Sequence, residues 1–132
     1  MNRYFQEVLE AHECIQQLLG NAETKDDICD NLLARFSPDF SMVSPAGSLL
    51  NFDALNRFFR TQRGARAGLS LHIMDMQLLT ESERGATVCY KEQQHIPGQP
   101  STLRFSTAVF VLDEKGNVIW RHLQETALPQ GM

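Results

Sequence analysis

Three stretches with a helical repeat, followed by four strand-like runs, predict an α+β domain: three N-terminal helices packed on a curved mixed or antiparallel sheet. Two further observations sharpen that prediction. A short strand-like run, Asp39 to Ser44, is set between the second and third helices and is cut off by Pro45-Ala46-Gly47. The last two runs, Thr102 to Leu112 and Val118 to Ala127, flank Asp113-Glu114-Lys115-Gly116-Asn117, a hairpin turn. At 132 residues the chain suits a single domain, 1–132, with one sizeable core.

Each element has its own warrant. Asn2 is placed to cap a first helix running to about Leu19, because Tyr4, Phe5, Val8, Leu9, His12, Ile15, Gln16 and Leu19 recur at three- and four-residue steps. Gly20-Asn21 then offers a left-handed cap. Thr24 is the expected cap of a second helix, with Asp26 and Asp27 in its first turn and an apolar face of Ile28, Cys29, Leu32, Leu33 and Phe36. Ser37-Pro38 is expected to stop it. A third helix is expected over Phe52 to Gln62, with Leu55, Phe58 and Phe59 inward. Gly64 and Gly68 bracket what reads as a loose Arg/Ala loop. Long strands follow at Ser70 to Thr80, Ala86 to Ile96, Thr102 to Leu112 and Val118 to Ala127, separated by turn residues.

Composition narrows the function classes. Hydrophobic residues make up 42% and charged residues 21%, the balance of an ordinary globule, and the net charge is −4. That disfavours nucleic acid and anionic membranes as partners, since both demand a basic patch. The one basic cluster, Arg57, Arg60, Arg63 and Arg66, starts at helical spacing and reads as a solvated helix face. Cys14, Cys29 and Cys89 form no C-x-x-C pair, and residues 1–20 read as an amphipathic helix rather than a leader. Reduced thiols in a cytoplasmic protein are the expectation. His72, His95 and His122 fall on three separate strands with no zinc spacing, so neither a metal nor a cofactor is expected.

Residues 36–59, from Phe36-Ser-Pro-Asp-Phe-Ser-Met-Val-Ser-Pro-Ala-Gly to Leu55-Asn-Arg-Phe-Phe59, and the closing strand–Gly turn–strand of residues 106–126, resemble the nuclear transport factor 2-like superfamily, in particular its SnoaL-like and ketosteroid-isomerase-like members. The resemblance implies a cone-shaped α+β fold in which three helices and a strongly curved sheet enclose an internal pocket. It also implies a homodimer formed through the opposite sheet face. The isomerases' catalytic acids are missing. Ser44 stands where the general-base Asp would be, Ala108 where a protonated Asp would donate, and Cys14-Ile15-Gln16 where the tyrosine would lie. Serine is too weak a base to replace a carboxylate without an activating partner. The acidic residue that SnoaL-like cyclases carry near the end of the last strand is Thr126 here.

Strand alternation sorts the remaining candidates. Arg104, Ser106, Ala108 and Phe110 share one face of the penultimate strand, which the match at Ala108 turns toward the pocket. An inward Arg104 would need a carboxylate partner, Glu92 or Glu125 or one on a ligand. On the last strand, counting from the turn puts Arg121 and Glu125 inside, whereas side-chain chemistry favours Trp120 and His122, and a one-residue bulge would exchange the two faces. The expected ligand-binding set is Met42, Ser44, Phe58, Tyr90, Arg104, Ser106, Phe110 and Arg121, with Arg104 and His122 as candidate catalytic groups. The function so implied is binding of a small apolar or weakly acidic organic ligand, or acid/base chemistry on it. The alternative is a non-catalytic dimeric association module with a vestigial pocket.

Overall fold

The first helix begins where a side chain satisfies its free amides. In the computed structural model, which describes residues 1–129, Asn2 Oδ1 accepts from the Tyr4 and Phe5 N–H groups at 2.8 and 3.3 Å. Helix α1 (Arg3–Gly20) then buries Tyr4, Val8, Ala11, His12, Leu18 and Leu19. Its end differs from expectation. Asn21 is extended, with φ −142°, and no left-handed cap forms. Instead the amides of Gly64, Arg66 and Gly68 donate to the carbonyls of Leu18, Leu19 and Gly20 at 2.9, 2.9 and 3.2 Å. Residues 64–68 are therefore not a loose loop. They lie along the helix end and satisfy carbonyls that the helix itself leaves unpaired.

Helix α2 (Asp26–Leu33) has Lys25 at its N-cap with no side-chain bond. Thr24 does not cap it, because its hydroxyl donates to the Gln17 carbonyl at 2.6 Å. The helix also stops three residues early. Phe36 opens strand β1 (Phe36–Val43), where its ring stacks on Trp120 at 5.7 Å and meets Phe40 edge-on at 4.9 Å. Pro38 falls inside this strand, where the pairing with the last strand is irregular between Phe36 and Ser41, one of the places a strand tolerates proline. After the Ser44–Ser48 turn comes a three-residue strand, β2 (Leu49–Asn51), too short to show a period in the sequence. Asn51 caps α3 (Phe52–Thr61), its side chain accepting from the Ala54 N–H at 2.9 Å.

Strands β3 (Ser70–Ser82), β4 (Gly85–His95), β5 (Thr102–Leu112) and β6 (Val118–Ala127) complete an open six-stranded sheet in the order β2-β1-β6-β5-β4-β3. The β1–β6 pair is parallel and the others antiparallel, so the sheet is mixed. The three helices pack over the face that carries Val88, Tyr90, Ala108, Phe110 and Trp120.

The face of β6 is settled by a bulge. Phe110 pairs with Trp120 but Val109 pairs with His122, leaving Arg121 as an extra residue. Trp120 before the bulge and Glu125 after it are both buried. Arg121 is spent on the bulge itself, with Nη1 donating to the Asp39 carbonyl at 2.6 Å. The basic cluster is also not simply a solvated face: Arg60 pairs with Asp30 at 2.9 Å and Arg63 with Asp26, tying α3 and the segment after it to α2. Among the described residues no helix is long and apolar enough to cross a membrane.

Candidate functional site

A cavity of about 350 Å³ opens between α1, α3, β1 and the inner face of β4–β6. Its wall is mostly apolar, with Leu19, Phe36, Phe40, Leu55, Phe59 and Trp120 among the lining residues. An apolar wall with a few convergent polar groups is the usual make-up of a small-molecule site. Four of the ionisable groups here come in two pairs.

The first pair joins α1 to β4. His12 Nδ1 lies 2.7 Å from the Val8 carbonyl, and Nε2 lies 3.0 Å from Glu92 Oε1. A carbonyl only accepts, so Nδ1 carries a hydrogen. Nε2 then faces a carboxylate, and the contact is attractive only with a proton between the two groups. Burial disfavours the imidazolium, but the hydrogen bond and charge of Glu92, with the Val8 carbonyl, outweigh it and raise the His12 pKa. Burial likewise works against the Glu92 carboxylate, yet His12, Gln94 and Arg104 together bring its pKa down to about 2. Gln94 Nε2 donates to the second Glu92 oxygen at 2.7 Å. His12 is thus an imidazolium paired with an ionised Glu92, both almost fully buried.

The second pair spans β5 and β6. Arg104 Nη1 donates to Glu125 Oε1 at 3.2 Å, and the Ser106 hydroxyl reaches Glu125 Oε2 at 3.5 Å. Burial pushes the Glu125 carboxyl above its ordinary value, only partly offset by the charge of Arg104. Two carboxylates in one cavity are therefore driven apart, Glu92 down and Glu125 up, the pattern by which one site holds both a fixed charge and a titratable acid.

Of the eight expected binding residues, Met42, Ser44, Phe58 and Arg104 line the cavity. Four do not. Phe110 is core, with its ring 4.6 Å from Trp120 and 5.8 Å from Tyr4. Ser106 stands beside Glu125, which occupies the wall in its place. Tyr90 is buried with its ring edge-on to His12 at 5.4 Å, and its hydroxyl has no hydrogen-bond partner among the described residues. Burial, with Glu92 and Glu125 nearby, pushes that phenol well above its ordinary pKa. Arg121 is held by the Asp39 carbonyl, for the reason the bulge gives. The candidate catalytic His122 is also outside the cavity, with Nδ1 hydrogen-bonded to the Ser41 hydroxyl at 2.8 Å. The residue that sequence reasoning left in the core is His12. A histidine at helical spacing among Tyr4, Val8 and Ile15 was the available signal. Among the described residues no cluster of three or more potential metal ligands occurs.

Three helices against an open mixed sheet, with a lined cavity between the layers, define the cone-shaped α+β class. A crystal structure of an NTF-2-like protein of unknown function from Pseudomonas aeruginosa matches with TM-score 0.91 and 39% identity, over 97% of this chain and 100% of that one. At that similarity the chain belongs to the nuclear transport factor 2-like family. The fold alone is shared with the association domain of the C. elegans CaMKII (TM-score 0.69, 11% identity, 93% of this chain and 95% of that one). It is shared too with a scytalone dehydratase-like protein from Novosphingobium aromaticivorans (TM-score 0.62, 15% identity, 79% of this chain and 73% of that one). No family model and no curated protein matches the chain.

Proposed function

We propose that the protein binds a small, largely apolar organic molecule in the cone cavity and presents it to the His12–Glu92 and Arg104–Glu125 pairs. One observation carries this reading: an apolar cavity of about 350 Å³ closes on three buried ionisable groups, His12, Glu92 and Glu125, paired with one another or with the half-buried Arg104. Buried charges are costly, and three of them at a cavity wall are hard to account for as packing alone. At about 30 Å³ of liquid volume per water-sized group, the space suits roughly a dozen non-hydrogen atoms.

If the site is catalytic, its chemistry is proton transfer. The imidazolium at His12 holds a proton beside the cavity, and Glu125 is the carboxyl whose ionisation is easiest to reverse. Steroid isomerisation does not fit, because Ser44 lines the cavity where a carboxylate base is needed. Titration calorimetry with 2-tetralone, a neutral aromatic ketone, tests the reading. Saturable one-to-one binding is expected, and Leu55→Trp, which fills the cavity, should abolish it. Absence of heat with 2-tetralone and with apolar acids alike would overturn the reading.

A second reading, association of copies through the outer sheet face, draws on one observation. Phe105 is 46% exposed there, on the same strand face as Leu103, Val109 and Val111. The fold shared with association domains points the same way. Sedimentation should show a dimer that Phe105→Glu dissociates, and a 15 kDa species at micromolar concentration would refute it. The free cysteines Cys14, Cys29 and Cys89 fit a reducing, cytoplasmic setting for either reading.

A further inference from the structure

Three cationic side chains line the cavity: His12, Arg104 and Arg66. The first two are already matched, by Glu92 at 3.0 Å and Glu125 at 3.2 Å. Arg66 makes no ion pair and no side-chain hydrogen bond among the described residues. Its guanidinium sits 5.8 Å from the centroid of the Phe58 ring, another lining residue. Both are half-buried, as befits the rim, where the exposed Pro45 and Ala46 also contribute. The backbone holds Arg66 there, since its amide donates to the Leu19 carbonyl at the end of α1.

We infer that the ligand is an organic anion with an apolar tail, its charged head held by the unmatched Arg66 rather than by Arg104, which Glu125 already engages. This rests on the cavity being a binding site, as proposed above. The charge layout drives it. The floor carries Glu92 and Glu125, each matched by one cation, so an anionic head placed there would gain no free partner and meet two carboxylates. The rim carries one unmatched guanidinium with all five donors open, suited to bidentate contact with a carboxylate. The tail then occupies the apolar wall of Leu19, Leu55 and Phe59. A guanidinium already resting on an aromatic ring is partly desolvated and oriented, which lowers the cost of engaging the head group.

Decanoate, decanamide and decylamine share a tail and differ in head charge, so their affinities separate the two levels of the argument. With the wild-type chain, decanoate should bind about tenfold tighter than decanamide, and decylamine weakest. Arg66→Gln should remove the preference, bringing decanoate down to about the affinity of the amide. Arg66→Lys should recover part of the preference, and Arg57→Gln, which removes an exposed charge of α3 outside the cavity, should preserve it. The preference should also shrink with added salt, because the rim is open to solvent. Equal binding of acid and amide, or a preference that survives Arg66→Gln, would overturn the role of Arg66 while leaving the cavity reading intact. Failure of all three probes to bind would overturn both. Circular dichroism of each variant checks that the fold is retained.

Discussion

At the scale of single residues, the His12–Glu92 pair should write itself into the pH dependence of stability. Glu92 titrates near 2 in the folded chain against 4.5 when unperturbed. Its contribution is therefore present above pH 4.5 and lost as the pH falls from there toward 2. His12 is raised above 6.5, so its contribution is full below 6.5 and lost as the pH rises through the folded value. Thermal unfolding across pH should show a maximum between these limits. In His12→Gln the alkaline decline should disappear. Glu92→Gln should shrink both the acid and the alkaline decline, because without the carboxylate burial drives His12 to the neutral imidazole, and it should lower stability at neutral pH. A variant as stable as the parent would mean that the contact carries no net proton. The pairing of the two does not announce itself in the sequence, which offers Glu92 only as a possible partner of Arg104. His12 reads as one more position on an apolar helix face, and it becomes a titrating group only because Glu92, eighty residues away, lands 3.0 Å from its ring.

At the scale of elements, local signals were read well where they are local. Strands β5 and β6 begin and end where alternation and the Gly116 turn place them. Asn2 caps α1 as its residue type implies. The departures all involve partners that local propensity does not encode. Thr24 is drawn to Gln17, Phe36 to Trp120 and Phe40, and the end of α1 to residues 64–68. The Arg121 bulge is the sharpest case, since both proposed faces of β6 were half right, Trp120 on one side of the bulge and Glu125 on the other. Four variants test these devices by chemical denaturation. Asn51→Ala should cost about 1 kcal/mol by uncapping α3. Gly64→Ala should cost more than 1 kcal/mol, because φ is +70° and the new Cβ would meet Ala22 Cα at 2.5 Å. Arg121→Ala should be tolerated, and deleting Arg121 should still allow folding, since the residue removed is the one left unpaired and His122 to Ala127 keep their partners and faces.

At the scale of the whole molecule, the family and the layer order were legible from element order alone, and the cavity's chemistry was not. Strand phase puts Arg104 on the face of Ala108 and helix phase puts Phe58 inward, while the family resemblance is what turns these positions, with Met42 and Ser44, toward a pocket. The ionisable floor needs α1 laid across β4–β6, which no periodicity encodes. A ligand that fills this space should stabilise the entire chain. At a hundredfold excess over its dissociation constant the gain is about 2.7 kcal/mol, enough to raise the unfolding midpoint by roughly 10 °C. Decanoate in a thermal melt gives that measurement directly, and no upward shift at saturation would contradict it.

The clasp of residues 64–68 on the end of α1 also bears on the order of folding. A helix whose last carbonyls are satisfied from within its own turn can finish forming by itself, but this one must wait until α3 and the segment after it have come into place. The final turn of α1 is therefore a long-range contact in disguise, and forming it late adds a loop-closure cost to the folding barrier. Hydrogen exchange should reveal the linkage: the amides of Gly64, Arg66 and Gly68 should open together as one cooperative unit, releasing the last turn of α1 and the cavity rim with it.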